Sequence, residues 1–291
     1  MSISDKFNRF YDKIKMSHDD ITLVSSRYER ISYLLSTEYY GRPTKDYSLY
    51  VGSYGRDTEV SISDIDMLFR LPFKKYEQYN NYASNGQSAL LQEVKNVISK
   101  TYSRTILKGD GQIISVTFSD GITFEILPAF INEGHKSFTY ADSNFGGSWK
   151  VTSPKEEQRA IQEINNDTNK NLKKLCRMMR IWKNENNVKI PGILIDILAY
   201  KFMKDYEYRD KSFYYYDWLT RDFLKYMSEI PKEQNKWQVM GSNRFITHTD
   251  DFRYKAKVSY NVSVVAIEKE KINTEAANQE WRKIYGRKFE G

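Results

Sequence analysis

The chain has 291 residues with a net charge of +7, long enough for one large domain or two lobes around a sizeable core. Hydrophobic residues make up 40% and charged residues 29%, and no apolar run approaches the ~18 residues of a membrane span. One cysteine, Cys176, and three histidines exclude an intramolecular disulfide framework and a structural zinc cluster.

The first residues, Met1 to Lys6, lack an apolar stretch followed by a small-residue cleavage site, so a cytoplasmic location is expected. Ser4 is placed to cap a short helix carrying Phe7, Phe10 and Ile14, and Ser17 a longer one through Ile21, Val24, Tyr28, Ile31 and Leu35. The period then changes. Residues 48–51, 65–71, 113–118 and 122–127 read as strands, the last two separated by the hairpin signal Ser119-Asp120-Gly121. Beyond Glu156 the pattern is mainly helical, with helices expected over 156–164, 167–186, 191–206, 214–229 and 271–285. No repeat, low-complexity tract or Pro/Gly-rich linker interrupts the chain. An α+β protein follows, with a strand-rich lobe over 1–155 and a helical lobe over 156–291 packed against it.

Chemistry concentrates in Val51-Gly52-Ser53-Tyr54-Gly55-Arg56-Asp57-Thr58 and the following Ser63-Asp64-Ile65-Asp66-Met67. Alternation along a strand sends Asp64 and Asp66 to one face and Ile65, Met67 and Phe69 to the other. Glycosidase carboxyl groups stand ~5 to 9.5 Å apart on opposite sides of a sugar, which neighbouring same-face positions serve poorly. A pair of Mg²⁺ ions bound by carboxylates and substrate phosphates fits better. Gly52-Ser53 complements such a site, because a glycine lets backbone amides approach a phosphate and the Ser53 hydroxyl adds a hydrogen bond. Glu125 is the one acid in the apolar run Phe124 to Leu127, where an unpartnered carboxylate would be costly, so it is the natural third ligand.

These residues, together with Phe-Glu-Ile-Leu-Pro-Ala, Gly146-Gly147-Ser148-Trp149-Lys150-x-Thr152-x-Pro154 and Trp281-Arg282-Lys283-Ile284-Tyr285-Gly286, resemble the bacterial cGAS/DncV-like nucleotidyltransferases, the CD-NTases with a SMODS-type domain. The resemblance runs over nearly the whole chain. It implies a DNA polymerase β-like core with a helical C-terminal lobe, and Mg²⁺-dependent (or Mn²⁺-dependent) synthesis of cyclic di- or trinucleotides from ATP or GTP in CBASS antiphage defence. It also implies that Gly52, Ser53 and Arg56 hold the donor nucleotide, that Asp64 and Asp66 bind two metal ions, and that Glu125 stands where the family usually has aspartate. A basic residue on the helix over 167–186 would reach the triphosphate, with Arg177 the best match and Lys174 next. Trp149, Ser153 and Asn165 lie near the family's base-contacting lid.

On that helix Leu172, Leu175, Cys176, Met179 and Trp182 share one side, while Lys173, Lys174, Arg177 and Arg180 share the other. The charge is distributed unevenly. Residues 1–150 hold 18 basic and 18 acidic residues and residues 151–291 hold 27 and 20, so the whole excess lies in the second half. That balance suggests a polyanionic partner, either the NTP substrates or a structured RNA that activates the enzyme, with Lys255, Lys257, Arg282, Lys283, Arg287 and Lys288 in surplus of what an NTP needs. A monomer with no membrane partner is expected. The alternative reaction is a non-cyclising nucleotidyl transfer to an RNA end, a small hydroxyl compound or a protein.

Overall fold

Two capped helices open the chain in a computed structural model, which describes residues 1–60, 64–102 and 105–290. Helix α1 spans Ile3–Ile14 and is capped by Ser2, where the sequence suggested Ser4. Ser2 wins because Asp5 then falls three residues on and its carboxylate accepts a hydrogen bond from the Ser2 amide, whereas a cap at Ser4 would put Phe7 there. Helix α2, His18–Tyr40, uses Ser17 and Asp20 in the same way and ends at Gly41, whose φ of +71° favours glycine. Val24, Tyr28, Ile31 and Leu35 are buried as expected, but Ile21 is 47% exposed.

Next come β1 (Ser48–Tyr50), a short helix α3 (Gly52–Arg56), β2 (Asp64–Arg70), α4 (Phe73–Asn80), α5 (Gly86–Thr101), β3 (Ile106–Asp110), β4 (Ile113–Thr117), β5 (Thr123–Ile131), β6 (Phe138–Asp142) and β7 (Ser148–Thr152). Among the described residues these strands form one seven-stranded mixed sheet in which β2 and β5 run parallel and the other pairings are antiparallel. One face of the central pair, Ile65, Met67, Phe69, Phe124 and Ile126, buries against Val24, Ile31 and Leu35 of α2 and Leu90, Val94 and Ile98 of α5. The opposite face carries a small apolar cluster, Leu68, Ala129 and Phe138. The polar end of that face is Asp64, Asp66 and Glu125.

The remaining elements are mainly helical: α6 (Pro154–Asp167), α7 (Asn171–Glu185), α8 (Gly192–Asp205), α9 (Tyr216–Glu229), the pair β8 (Lys236–Gln238) and β9 (Phe245–Thr247), α10 (Arg253–Glu270) and α11 (Thr274–Tyr285). Helix α10 carries no apolar stripe. Its buried positions include Ala256, Ser259, Ser263 and Ala266, small residues that permit close approach without a hydrophobic period. No helix among the described residues is long and apolar enough to cross a membrane.

The chain divides into two compact units. One comprises Met16–Arg56 and Ser61–Glu156, and the other Met1–Lys15, Asp57–Val60 and Glu157–Gly291. The sheet-bearing unit therefore ends at Glu156, but α1 and a four-residue segment belong with the helices. The reason is packing: Phe7 lies 5.2 Å from both Trp281 and Phe289, and Phe10 4.5 Å from Tyr285, ring centroid to centroid.

Candidate active site

In the sheet-bearing unit, parallel register sets Asp66 opposite Glu125 and Asp64 opposite Thr123, so the three carboxylates share one face of adjacent strands. Asp64 is exposed and the other two are partly buried. Asp66 and Glu125 hydrogen-bond each other through their side chains. Burial, then repulsion from Asp66 and Asp64, pushes the Glu125 carboxyl up to about 7, and Asp110 adds to it. Burial likewise raises Asp66, opposed first by the positive charge of Arg56.

Gly52 lies directly beside this pair. The Val51 amide donates to the Asp66 carbonyl at 3.0 Å, and Gly52 turns the chain with a φ of +61° into α3. A Cβ on Gly52 would stand 2.5 Å from Cγ and 2.9 Å from Cβ of Asp66, so only glycine lets the backbone come this close to the carboxylate. Gly52 and Ser53 thus open a short helix, where the sequence suggested a turn. Arg56, at its end, is buried. Ser63 lies outside the described residues. Hard oxygen donors on one face suit Mg²⁺, and a divalent cation would offset the mutual repulsion that Glu125 experiences. Among the described residues no three acidic, His or Cys side chains stand close enough to form a ready-made metal cage, consistent with Asp66 and Glu125 bonding each other.

In the helical unit the expected basic face of α7 divides. Arg177 is 8% exposed and bound within its own unit: Nε donates to the Glu59 carbonyl at 3.0 Å, Nη1 to the Tyr11 hydroxyl at 2.7 Å, and Nη2 pairs with Asp57. Lys173 reaches Asp57 at 3.2 Å. Arg180, expected on the same polar side, is buried in a bidentate pair with Asp196 at 2.6 and 2.9 Å, and Thr58 donates to the same carboxylate at 3.0 Å. Lys174 sits among rings, its ammonium 4.5 Å from the Phe213 centroid and 5.8 Å from Tyr11 and Tyr216, and burial lowers its pKa. The wheel separated charge from apolar side chains, but α7 is covered on both sides. Buried cations there require acid partners, and of these Asp196 is fully buried, Glu59 partly so and Asp57 exposed. Asp57, Glu59 and Asp196 escaped sequence reading, although Asp196 carried a legible signal as the only acid in Gly192 to Tyr200.

The positions singled out for base contact have structural partners. Trp149 packs near Tyr76 and Phe130 and donates to Asn80 at 3.0 Å, and buried Asn165 accepts the Lys173 amide at 3.1 Å. Ser153 is partly buried. Cys176 is buried, as a small hydrophobe would be.

Residues 1–165 match the family model described as the Second Messenger Oligonucleotide or Dinucleotide Synthetase (SMODS) domain. The chain is 24% identical over 247 residues to the cyclic AMP-AMP-AMP synthase of Acinetobacter sp. (strain ATCC 27244 / 9458), covering 82% of this chain and 71% of that protein. Its fold matches E. coli MS115-1 CdnC, solved as a CdnC:HORMA-deltaN complex, with a TM-score of 0.69 at 14% identity over 99% of this chain and 98% of that one. It also matches the Bradyrhizobium diazoefficiens CD-NTase CdnG in complex with GTP, with a TM-score of 0.68 at 9% identity over 98% and 95%. A polymerase β-like sheet bearing three same-face carboxylates beside a Gly-Ser helix start, in a chain whose SMODS match covers more than half its length, places this protein in the CD-NTase family of nucleotidyltransferases, which make cyclic oligonucleotides from NTPs.

Proposed function

We propose that this synthase is Mg²⁺-dependent and joins ATP, GTP or both into a cyclic di- or trinucleotide that signals in antiphage defence. The register of Asp66 with Glu125, with Asp64 two residues upstream on the same face, carries this reading. Asp64, Asp66 and Glu125 would hold the metal ions, whose chemistry when bound is to neutralise phosphate charge and stabilise the attacking and leaving oxygens. The chain's own residues do the rest. Amides at the start of α3 and the Ser53 hydroxyl bind the donor phosphates, the close approach at Gly52 keeps Asp66 oriented, and Glu125 accepts the proton of an attacking ribose hydroxyl. The new O–P bond forms at the α-phosphate as the bond to pyrophosphate breaks, and the ring closes at the second transfer for a dinucleotide or the third for a trinucleotide. The adenine products of the Acinetobacter relative and the GTP bound to CdnG support ATP and GTP as substrates.

Incubation of the protein with Mg²⁺ and each pair of NTPs, phosphatase treatment and mass spectrometry test this directly. A phosphatase-resistant product that disappears in Asp64→Asn with Asp66→Asn is expected. Products that the phosphatase degrades would instead identify linear transfer. The basic balance of residues 151–291 also supports activation by structured RNA. Turnover that rises with RNA at low salt and less at high salt is the expected result, and equal rates would remove the idea.

A further inference from the structure

The helical unit contains a cavity of about 350 Å³ that the nucleotidyl-transfer reading does not use. Its lining includes Tyr214, Tyr215, Asp217 and Trp218 at the start of α9, together with Ile267 and Glu270 near the end of α10. Its volume lies within the range of small-ligand pockets.

Two of the lining rings, Tyr215 and Trp218, pack against each other and against Tyr208 behind them. Tyr208 and Tyr215 stack 5.7 Å apart at 15°, and each meets Trp218 edge to face at 5.5 and 5.6 Å. The Trp218 ring already carries one guanidinium, with Arg221 Cζ 5.4 Å from its centroid. That guanidinium is engaged by Asp222 at 2.7 and 3.0 Å.

Asp217 is only 8% exposed, yet among the described residues no cation pairs with it. Its Oδ1 accepts the neighbouring Trp218 amide at 2.8 Å, and its own amide adds a second backbone hydrogen bond to the carboxyl. The second acid, Glu270, is held by fully buried Lys6 at 2.8 Å. Lys271 stands exposed at the rim. Burial raises the Asp217 carboxyl and the negative charge of Glu270 adds to the rise, opposed by the two backbone hydrogen bonds and the more distant positive charge of Arg221, so the net shift is upward.

We propose that this cavity binds an organic cation, a guanidinium or primary ammonium group, stacked on the Tyr215 and Trp218 wall and paired with Asp217. Aromatic faces attract cations, and a largely buried carboxylate with no cation at ion-pair distance among the described residues selects positive charge over an isosteric neutral group. A free polyamine and an arginine side chain presented by a peptide share this chemistry. The proposal is independent of the nucleotidyl-transfer reading.

The test is calorimetric titration of the full chain with argininamide and its ureido isostere citrullinamide, both Nα-acetylated so that the first carries only the guanidinium charge and the second none, and with spermidine and the tripeptide Gly-Arg-Gly. Saturable one-site binding of argininamide is expected, with citrullinamide at least about tenfold weaker. Asp217→Asn and Trp218→Ala should each weaken argininamide by about tenfold or more, and Lys271→Glu should strengthen it. Thermal melts establish that the variants fold. If Asp217→Asn does not, Tyr214→Ala, at a ring 62% exposed, provides the second reading by weakening binding without touching the interior. Preference for spermidine would identify a free cation, and preference for Gly-Arg-Gly a side-chain dock. Equal affinity for citrullinamide, unchanged binding in folded Asp217→Asn, or no argininamide binding would overturn the proposal.

Discussion

Replacing Gly52 with alanine separates two effects that the structure predicts will add. Gly41 and Gly52 both have left-handed backbones, with φ of +71° and +61°, so an alanine at either pays about 1–2 kcal/mol for conformation alone. At Gly41 nothing lies within 4 Å of the new Cβ. At Gly52 the Cβ would meet Cγ of Asp66 at 2.5 Å and Cβ at 2.9 Å. Asp66 has little room to yield, because its carbonyl accepts the Val51 amide at 3.0 Å and its carboxyl bonds Glu125. Overpacking of this kind adds about 1–3 kcal/mol. Gly41→Ala should therefore lose about 1–2 kcal/mol and Gly52→Ala about 2–5, with each kcal/mol lowering Tm by roughly 2–4 °C. Because the strain falls on Asp66, Gly52→Ala should also reduce cyclic product per folded molecule by about a hundredfold, as expected when a reacting group is displaced by about 1 Å. Gly41→Ala should leave turnover unchanged. Scanning calorimetry and chromatographic product assay measure both. Equal Tm losses in the two variants, or full activity in Gly52→Ala, would refute the argument that glycine is required there by Asp66.

Three further outcomes are expected. Breaking the buried Arg180–Asp196 pair from one side, by Arg180→Met or Asp196→Leu, should lose about 3–5 kcal/mol in denaturant titration, while the double substitution recovers most of it. Asp217 is raised from 3.8 to about 6, so the folded state holds its proton more tightly than the unfolded chain and wild-type stability falls as pH rises through that window. Asp217→Asn should therefore be more stable than wild type at pH 7.5, by about 3 kcal/mol less the roughly 0.5–1 kcal/mol of helix-terminus attraction, with the gap closing toward pH 4 in melts across pH. Glu125→Gln should abolish product while leaving Tm no lower, since it removes a carboxylate repelled by Asp66 and Asp64. A large loss of Tm would mark Glu125 as structural.

Much of the catalytic face was legible because a strand's period is fixed. Asp64 and Asp66 share a face whatever surrounds them, and Glu125 in an apolar run declares that something must satisfy it. Helix α1 was legible but its cap was not, because the choice between Ser2 and Ser4 rests on Asp5 accepting a hydrogen bond from the Ser2 amide. Helix α10 was missed because its buried face is built of alanine and serine, which leave no hydrophobic period.

The sequence by itself determined the local chemistry: which residues carry charge, which strand faces hold carboxylates, and the order of motifs that places the chain in its family. Tertiary structure alone decided which charges meet. Parallel pairing of β2 with β5 sets Asp66 against Glu125 from nearly sixty positions away, and Asp57, Glu59 and Asp196 neutralise arginines that a helical wheel assigns to a polar face. The physical reason is that periodicity reports only an element's own sides. Whether a side faces water or another helix, and so whether a cation there must find an acid partner, depends on neighbours distant in the chain.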